Sequence, residues 1–242
     1  MGSELTAVTF DFWNTLFRVT PVMPGRLLQA SAFLREHGSE LGEAEVAEHF
    51  AVAQRLNDER WRAGEQFGGI GVARHLIDAI LGPAADRQLV ALLNERFQAP
   101  AQPGCPPVPA PGVGAALARL ATAGCRLGIV SDTGFLSGVS LRRLLEQAGL
   151  AVHFEPGALA FSDEVGVPKP NPRMFARALA GLEVEPGAAA HVGDLRFTDV
   201  AGARAAGLRS IRYAGLFDDT AELPEADVVV WDHEELPAAL GF

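Results

Sequence analysis

The sequence predicts an α/β protein in which a doubly wound parallel sheet is interrupted by an all-helical insert. Three observations support this class: a short apolar strand opens the chain, a long stretch of helical periodicity follows, and strand and helix signals then alternate to the end. Such alternation is typical of βαβ units, whose helices cover both faces of a parallel sheet. Ligands bind beyond the carboxyl ends of the strands in these sheets, so the residues there are the candidates for function.

The first strand, the insert and the linker after it divide the chain into domains. Residues 5–10 are rich in β-branched and aromatic side chains and end on Asp11, as a buried central strand would. From residue 24 to about residue 98, apolar side chains recur at helical spacing. Six of the twelve residues in 100–111 are proline, which indicates an extended linker. We therefore expect a core domain (1–20 and 100–242) and a helical cap domain (21–99).

The elements after the linker follow the βαβ pattern. In order, they are a helix from Val113, a strand over 126–130, a helix over 136–148, a weak strand near 158–161, a helix over 172–180, a strand over 188–192, a helix over 200–206, strands over 208–213 and 226–230, and a helix from Glu234. We expect the strands to form one sheet with the first strand of the chain.

The composition limits the class of partner. A formal net charge of −10 opposes the backbone of nucleic acid, and no basic cluster offsets it. No apolar run reaches the roughly eighteen residues of a membrane span, and the first residues lack the regions of a secretory signal. We expect a cytoplasmic protein with neither nucleic acid nor membrane as partner, and with Cys105 and Cys125 as reduced packing residues. The sequence leaves the oligomeric state open.

Four ordered motifs stand at the predicted strand ends. The first is residues 11–16, Asp-Phe-Trp-Asn-Thr-Leu; the second is Ser131, which closes an apolar strand; the third is Lys169 within Val-Pro-Lys-Pro-Asn-Pro; and the fourth is Gly193-Asp194 followed by Asp199. In this order and spacing they resemble the motifs of the haloacid dehalogenase superfamily. Each motif alone is weak evidence, whereas four in order are strong evidence. The resemblance implies a Rossmann-like core with a helical cap inserted between the first and second motifs.

The resemblance also implies how the site works. Asp11 is then a carboxylate nucleophile, and Mg²⁺ is bound by Asp11, Asp194, Asp199 and the backbone carbonyl of Trp13. A cation is needed because two carboxylates about 4 Å apart repel by roughly 4 kcal/mol at an effective dielectric of about 20. Hard oxygen ligands favour Mg²⁺.

Further residues are expected around the transferring group. Ser131 and Lys169 complete the catalytic group, since they hold the nucleophile and the oxygens of the substrate. The residues expected to contact the phosphoryl group are Trp13, Thr15, Asp132 and Lys169. Lys169 is the one lysine among twenty basic residues, which suggests that a branched guanidinium would not fit there. The expected partner is a small anionic molecule, a phosphate ester.

Trp13 departs from the phosphatases of this superfamily, which carry there a second Asp that acts as general acid. Loss of such an acid costs on the order of 10²- to 10⁴-fold in rate, unless Asp132 or a water substitutes. Haloacid dehalogenases have an aromatic residue at this position and need no metal, because halide departs without a proton. However, they carry Tyr in place of Phe175, and Ser and Asn in place of Gly193 and Asp194.

Three functions stay open, of which the first is preferred. They are a Mg²⁺-dependent phosphatase acting through an aspartyl-phosphate on Asp11, a metal-independent 2-haloacid dehalogenase, and a phosphate-binding member with weak or no turnover. In an enzyme, the cap is expected to close over Asp11, expel water and favour small substrates. His191 is expected to be a buried, hydrogen-bonded residue without a catalytic role.

Overall fold

A computed structural model describes residues 5–19, 22–101 and 106–242. The chain divides into two compact units. The first unit comprises Met1–Val19, Pro107–Asp132 and Leu141–Phe242, and the second comprises Thr20–Pro106 and Thr133–Ser140. The domain boundaries predicted from the sequence differ from this division chiefly at residues 133–140, which the sequence places in the core.

The first unit is built on a six-stranded sheet in which every pair of neighbouring strands is parallel. The strands are β1 (Ala7–Phe10), β2 (Arg126–Ser131), β3 (Leu159–Phe161), β4 (Ala189–Gly193), β5 (Arg209–Tyr213) and β6 (Val228–Val230). Their order is β3-β2-β1-β4-β5-β6, so the strand order reverses between β1 and β4. This is the point at which a doubly wound sheet binds ligands. The predicted α/β class with a Rossmann-like parallel sheet is confirmed.

Some of the helices begin where the sequence provides a start signal. Among the described residues, the α-helices are α1 (Met23–Glu36), α2 (Glu43–Arg62), α3 (Gly68–Ile80), α4 (Gln88–Gln98), α5 (Val113–Thr122), α6 (Gly138–Gln147), α7 (Ser162–Val165), α8 (Pro172–Leu182), α9 (Ala201–Ala205) and α10 (Leu236–Leu240). For example, the Asn171 side chain accepts from the backbone N–H of Arg173 and caps α8, whose first residue is proline. The predicted helix over 200–206 is different, because a π-helical turn, Arg196–Val200, precedes α9.

The central strands are buried and well packed, which fixes the residues at their ends. β1 and β4 are buried along their whole length, as expected for strands covered on both faces. One apolar cluster packs α8 and α9 against the sheet. Its buried members are Ala7, Val130, Ala158, Ala160, Met174, Phe175, Ala178, Leu179, Leu182, Ala189, Ala203 and Leu208. The polar residues that follow β1 and β4 are therefore attached to a well-packed support.

The second unit is a bundle of α1–α4 with its own apolar core. The buried residues of this core are Ala30, Phe33, Leu34, Val46, Phe50, Ala53, Val72, Ala73, Leu76, Ile77, Val90, Leu93 and Phe97. The start of α2 is stabilised by one capping hydrogen bond, in which the Gly42 N–H donates to Glu45 Oε2 at 2.9 Å. The helical periodicity of residues 24–98 correctly predicts these helices.

Residues 133–140 join the second unit because α4 binds them. Gln98 Nε2 donates to the Phe135 carbonyl at 3.2 Å, and Gln98 Oε1 accepts from the Ser137 N–H at 2.8 Å and the Ser140 hydroxyl at 3.0 Å. The Phe135 ring also packs edge-on against Phe97. One glutamine thus makes three of the hydrogen bonds that join this segment to the helices, and apolar periodicity contains no sign of such contacts.

Two further expectations concern the cysteines and the membrane. Cys105 and the linker residues 102–105 lie outside the described residues. Cys125 is a free, buried thiol, and burial raises its pKa to about 12, so it remains protonated. In the described part of the chain, no helix has both the length and the apolar content needed to cross a bilayer.

Candidate active site

Asp11 and Asp194 follow two neighbouring strands at the switch point of the sheet. β1 and β4 pair so that Phe10 lies opposite Val192, and the Asp11 N–H donates to the Val192 carbonyl at 2.8 Å. Because parallel strands end at the same edge of a sheet, both aspartates lie at this edge. Only 5% of Asp11 and 4% of Asp194 is exposed to solvent.

Lys169 lies between two carboxylates. Its ammonium donates to Asp11 Oδ1 at 2.5 Å and to Asp199 Oδ1 at 2.6 Å. All three side chains are almost fully buried, so solvent screens these ion pairs weakly. Burial alone would lower the pKa of Lys169, but the charges of Asp11 and Asp199 outweigh burial and raise that pKa above its usual range. Lys169 is therefore a fixed cation beside the predicted nucleophile.

Asp199 accepts four hydrogen bonds from the protein. Its Oδ1 accepts from Lys169 and contacts His191 Nε2 at 3.0 Å, and its Oδ2 accepts from the Leu195 N–H at 3.0 Å and the Thr198 hydroxyl at 3.2 Å. Burial alone would raise the pKa of Asp199, but the Lys169 charge and the His191 hydrogen bond hold it well below its usual range. Asp199 is therefore a persistent anion.

Gly193 provides the space that Asp199 occupies. A Cβ atom at position 193 would lie 2.2 Å from Cγ of Asp199. Any larger residue there would displace the carboxylate from Lys169. The glycine of the fourth motif is thus explained by a close approach at the end of β4.

Protein donors engage the Asp199 carboxylate that the sequence predicts as a metal ligand. A carboxylate accepts about four hydrogen bonds, and protein donors supply four to Asp199. Lys169 provides positive charge between Asp11 and Asp199. Within residues 5–19, 22–101 and 106–242, no group of three or more His, Cys, Asp and Glu side chains is arranged as a metal site. The role of Asp199 as a metal ligand stays a prediction.

Asp11 and Asp194 are a second pair of carboxyl groups, and the pKa values of both are raised. Burial raises the pKa of Asp11 to about 7, although Lys169 opposes this shift. Burial and then the charges of Asp11 and Asp199 raise the pKa of Asp194 well above its usual value. Asn14 Nδ2 donates to Asp194 Oδ2 at 3.2 Å and orients this carboxyl group. Both groups therefore lie where an additional cation would be stabilised.

Ser131 and Asp132 lie at the end of β2. Ser131 is fully buried, and its hydroxyl donates to the Asp132 carbonyl at 3.1 Å. The Asp132 carboxylate accepts from the Lys169 backbone N–H at 2.8 Å, so it holds the loop that carries the lysine. This contact gives Asp132 a structural task besides the substrate contact expected from the sequence.

Trp13 and Thr15 belong to the loop after β1. The half-buried Trp13 ring packs edge-on against Phe12, with 4.9 Å between ring centroids. The Thr15 hydroxyl is buried without a hydrogen-bond partner among the described protein atoms. The Thr15 carbonyl accepts from His233 Nε2 at 2.8 Å, so a residue near the end of the chain holds the nucleophile loop.

Sequence reasoning missed three polar residues that support this arrangement. They are Thr9, Asn14 and His233, each of which contacts a motif residue or its immediate support. A signal was present for Thr9, a polar residue inside a buried strand, where a polar side chain needs a partner. His191 is buried and hydrogen-bonded, as the sequence predicts.

Comparison with known proteins identifies relatives over most of the chain. The family model described as "haloacid dehalogenase-like hydrolase" matches residues 5–207. The human haloacid dehalogenase-like hydrolase domain-containing protein 3 is 28% identical over 222 residues, which are 88% of this chain and 83% of that protein. A glyceraldehyde 3-phosphate phosphatase of Methanopyrus kandleri is 33% identical over 121 residues, half of each chain.

Solved structures of similar fold include both a phosphatase and a dehalogenase. A 2-haloacid dehalogenase of Pseudomonas syringae has a TM-score of 0.71 and 26% identity, with 98% of each chain covered. A HAD phosphatase of Thermococcus onnurineus has a TM-score of 0.69 and 22% identity, again with 98% of each chain covered. The fold alone is therefore compatible with either chemistry.

Proposed function

Because the chain belongs to the haloacid dehalogenase-like hydrolase family, and is thus a hydrolase, we propose that it hydrolyses small phosphate esters through a phosphoryl intermediate on Asp11. The observation that carries this proposal is the Lys169 ammonium, held 2.5 Å from Asp11 Oδ1 and 2.6 Å from Asp199 Oδ1. An anionic nucleophile attacks an anionic phosphoryl group only if nearby positive charge offsets their repulsion. The similarity to a named phosphatase supports the same class.

A divalent cation fits the second carboxylate pair. Asp11 and Asp194 are buried acids whose pKa values are raised by burial, and binding a cation would stabilise their charged forms. We propose Asp11, Asp194 and the Trp13 backbone carbonyl as ligands, with Asp199 left to Lys169. An all-oxygen donor set favours Mg²⁺. When bound, Mg²⁺ would supply charge stabilisation for the transferring phosphoryl group.

The residues of the site have separate roles in the proposed reaction. An Asp11 carboxylate oxygen attacks phosphorus, the bond to the leaving oxygen breaks, and an alkoxide or phenolate departs and takes its proton from water. Water next attacks phosphorus and breaks the bond to Asp11, which releases phosphate carrying the proton of that water and restores the Asp11 carboxylate. Lys169 orients Asp11 and stabilises the phosphoryl oxygens. Ser131 would turn its hydroxyl from the Asp132 carbonyl and donate a further hydrogen bond to the phosphoryl group.

Trp13 predicts a strong dependence on the leaving group. Its indole cannot protonate a departing alkoxide, so aryl phosphates should be hydrolysed much faster than sugar phosphates. Trp13→Asp should raise the rate on sugar phosphates by on the order of 10²- to 10⁴-fold and change the rate on aryl phosphates far less. Phosphate release from both substrate classes, with and without Trp13→Asp, measures this effect.

Trp231→Asp is a matched control, because it makes the same substitution at a residue that is 57% exposed and lies outside the motifs. Trp231→Asp should leave the preference for aryl phosphates as it is. Equal wild-type rates on aryl and sugar phosphates would contradict the proposed consequence of Trp13.

Dehalogenation of a 2-haloacid is the second candidate, favoured by the aromatic residue at position 13 and by the similar Pseudomonas syringae dehalogenase. The two chemistries separate in one assay that records phosphate and halide release with Mg²⁺ and with a chelator. Phosphatase activity should need the metal. Halide release that survives chelation would decide for the dehalogenase, and no release of either product would indicate a binding protein without turnover.

A further inference from the structure

A line of buried hydrogen bonds crosses from β1 to β4 and ends at the active-site lysine. Thr9 and His191 are opposite each other in the register of the two strands. Thr9 Oγ1 lies 2.9 Å from His191 Nδ1, and His191 Nε2 lies 3.0 Å from Asp199 Oδ1. That same oxygen accepts from Lys169 Nζ. Thr9, His191 and Asp199 are each no more than 1% exposed.

The chemistry of these groups sets the direction of each hydrogen bond. Asp199 is ionised and can only accept, so His191 Nε2 must carry a proton and donate it to Oδ1. The His191 ring is almost fully buried, and a neutral imidazole costs far less to bury than an imidazolium. In a neutral ring with its proton on Nε2, Nδ1 is an acceptor. The Thr9 hydroxyl lies 2.9 Å from Nδ1 and 3.3 Å from the Ala190 carbonyl oxygen, and it donates over the shorter distance to Nδ1. The line runs from Thr9 through His191 to Asp199.

We propose that Thr9 and His191 are positioning residues of the active site, which fix the Asp199 carboxylate and through it the Lys169 ammonium beside Asp11. The inference rests on the proposed roles of Asp11 as nucleophile and of Lys169 as its partner. Neither Thr9 nor His191 touches the reacting atoms. Their effect is on the position of a charge that must be in place before Asp11 attacks.

Asp199 Oδ1 is the atom through which this effect passes. Lys169 and His191 share it, so the hydrogen bond from His191 restricts rotation of the carboxylate toward or away from Lys169. Reaction rates fall steeply when catalytic groups are displaced by even about 1 Å. The Phe175 ring packs edge-on against His191, with 5.1 Å between centroids, and restricts movement of the imidazole.

A purely structural histidine would also be buried and hydrogen-bonded. The test must therefore separate the effect of the His191 N–H donor on kcat from the effect of the side chain's packing on stability. Gln and Met have side chains of similar length and flexibility, but only Gln retains an N–H near the place of Nε2. His191→Met should lower kcat for an aryl phosphate by about tenfold, as expected for one lost buried hydrogen bond. His191→Gln should recover most of this loss while the two variants share a similar Tm.

Thr9 offers a second matched pair in case the ring cannot be replaced without unfolding. Thr9→Val keeps the shape and removes the hydroxyl, whereas Thr9→Ser keeps the hydroxyl. We expect kcat of Thr9→Val to fall by roughly threefold to tenfold, and that of Thr9→Ser to fall less. Nitrogen NMR of the wild-type ring should show a proton on Nε2 and none on Nδ1.

Asp11→Asn separates failure of this inference from failure of the proposed function. If Asp11→Asn retains turnover, the proposed function itself is wrong. If Asp11→Asn is inactive but kcat does not differ within the Gln and Met pair, nor within the Ser and Val pair, the positioning role is overturned. A proton on Nδ1 in place of Nε2 would also overturn it.

Discussion

Replacing Asp11 with Asn should abolish turnover, with kcat reduced by at least about 10³-fold. An amide oxygen is a poor nucleophile, and Asp199, the other carboxylate that Lys169 contacts, is held by four protein donors. Phosphate release from an aryl phosphate in the presence of Mg²⁺ measures the loss. Circular dichroism should show that the variant is folded.

Asp58→Asn is the matched control for this variant. Asp58 is an exposed residue of α2, so the same change there removes a carboxylate without touching the strand ends. We expect wild-type kcat from Asp58→Asn. Substantial activity in Asp11→Asn would contradict the role of Asp11.

Replacing Lys169 with Met should destabilise the protein as well as inactivate it. Lys169 is 2% exposed and is the cation shared by Asp11 and Asp199. Its removal leaves two buried carboxylates without their shared cation, and breaking a buried ion pair in this way typically costs about 3–5 kcal/mol in the free energy of unfolding. Denaturant unfolding without divalent metal measures this cost, because a bound cation could replace part of the missing charge.

Lys169→Arg and Arg55→Met are the controls for this prediction. Lys169→Arg keeps the charge, so it should recover stability while kcat stays low, since the planar guanidinium directs its hydrogen bonds differently from an ammonium. Arg55 is exposed on α2, and Arg55→Met should change neither quantity appreciably. Wild-type stability of Lys169→Met in metal-free buffer would show that the lysine does not balance the two aspartates.

The place of the site in the fold follows from the sequence because it depends on local patterns. An apolar strand that ends on an acid can be recognised at Asp11 and at Asp194. In a parallel sheet, strand ends share one edge, so the convergence of these residues follows from topology. The predicted sheet class and the helical character of the insert also depend on periodicity alone, and the structure contains both.

The different surroundings of Asp194 and Asp199 do not follow from the sequence. Asp194 and Asp199 are both carboxylates five positions apart, and either could be a ligand by composition. Their difference arises from the π-helical turn Arg196–Val200, which brings Asp199 toward Lys169, and from Gly193, which leaves it room. These are three-dimensional contacts between segments whose pairing no motif specifies.

The residues that support the site could not be predicted either, because their contacts depend on the register of the strands. Thr9 and His191 become neighbours only when β1 pairs with β4 in one particular register. A shift of one residue would turn His191 to the other face of the sheet, away from Asp199. Likewise, residues 133–140 belong to the helical unit through Gln98, a contact over about forty residues of sequence.

The measurement that most directly tests the account is a search for the phosphoryl group on the protein itself. The enzyme is quenched in acid during turnover of an aryl phosphate with Mg²⁺, digested, and examined by peptide mass spectrometry. We predict a mass gain of one phosphoryl group on the peptide that contains Asp11, removable by hydroxylamine and absent from Asp11→Asn. Phosphate release at the same rate with the phosphoryl group on another residue, or with none on this peptide, would contradict the account.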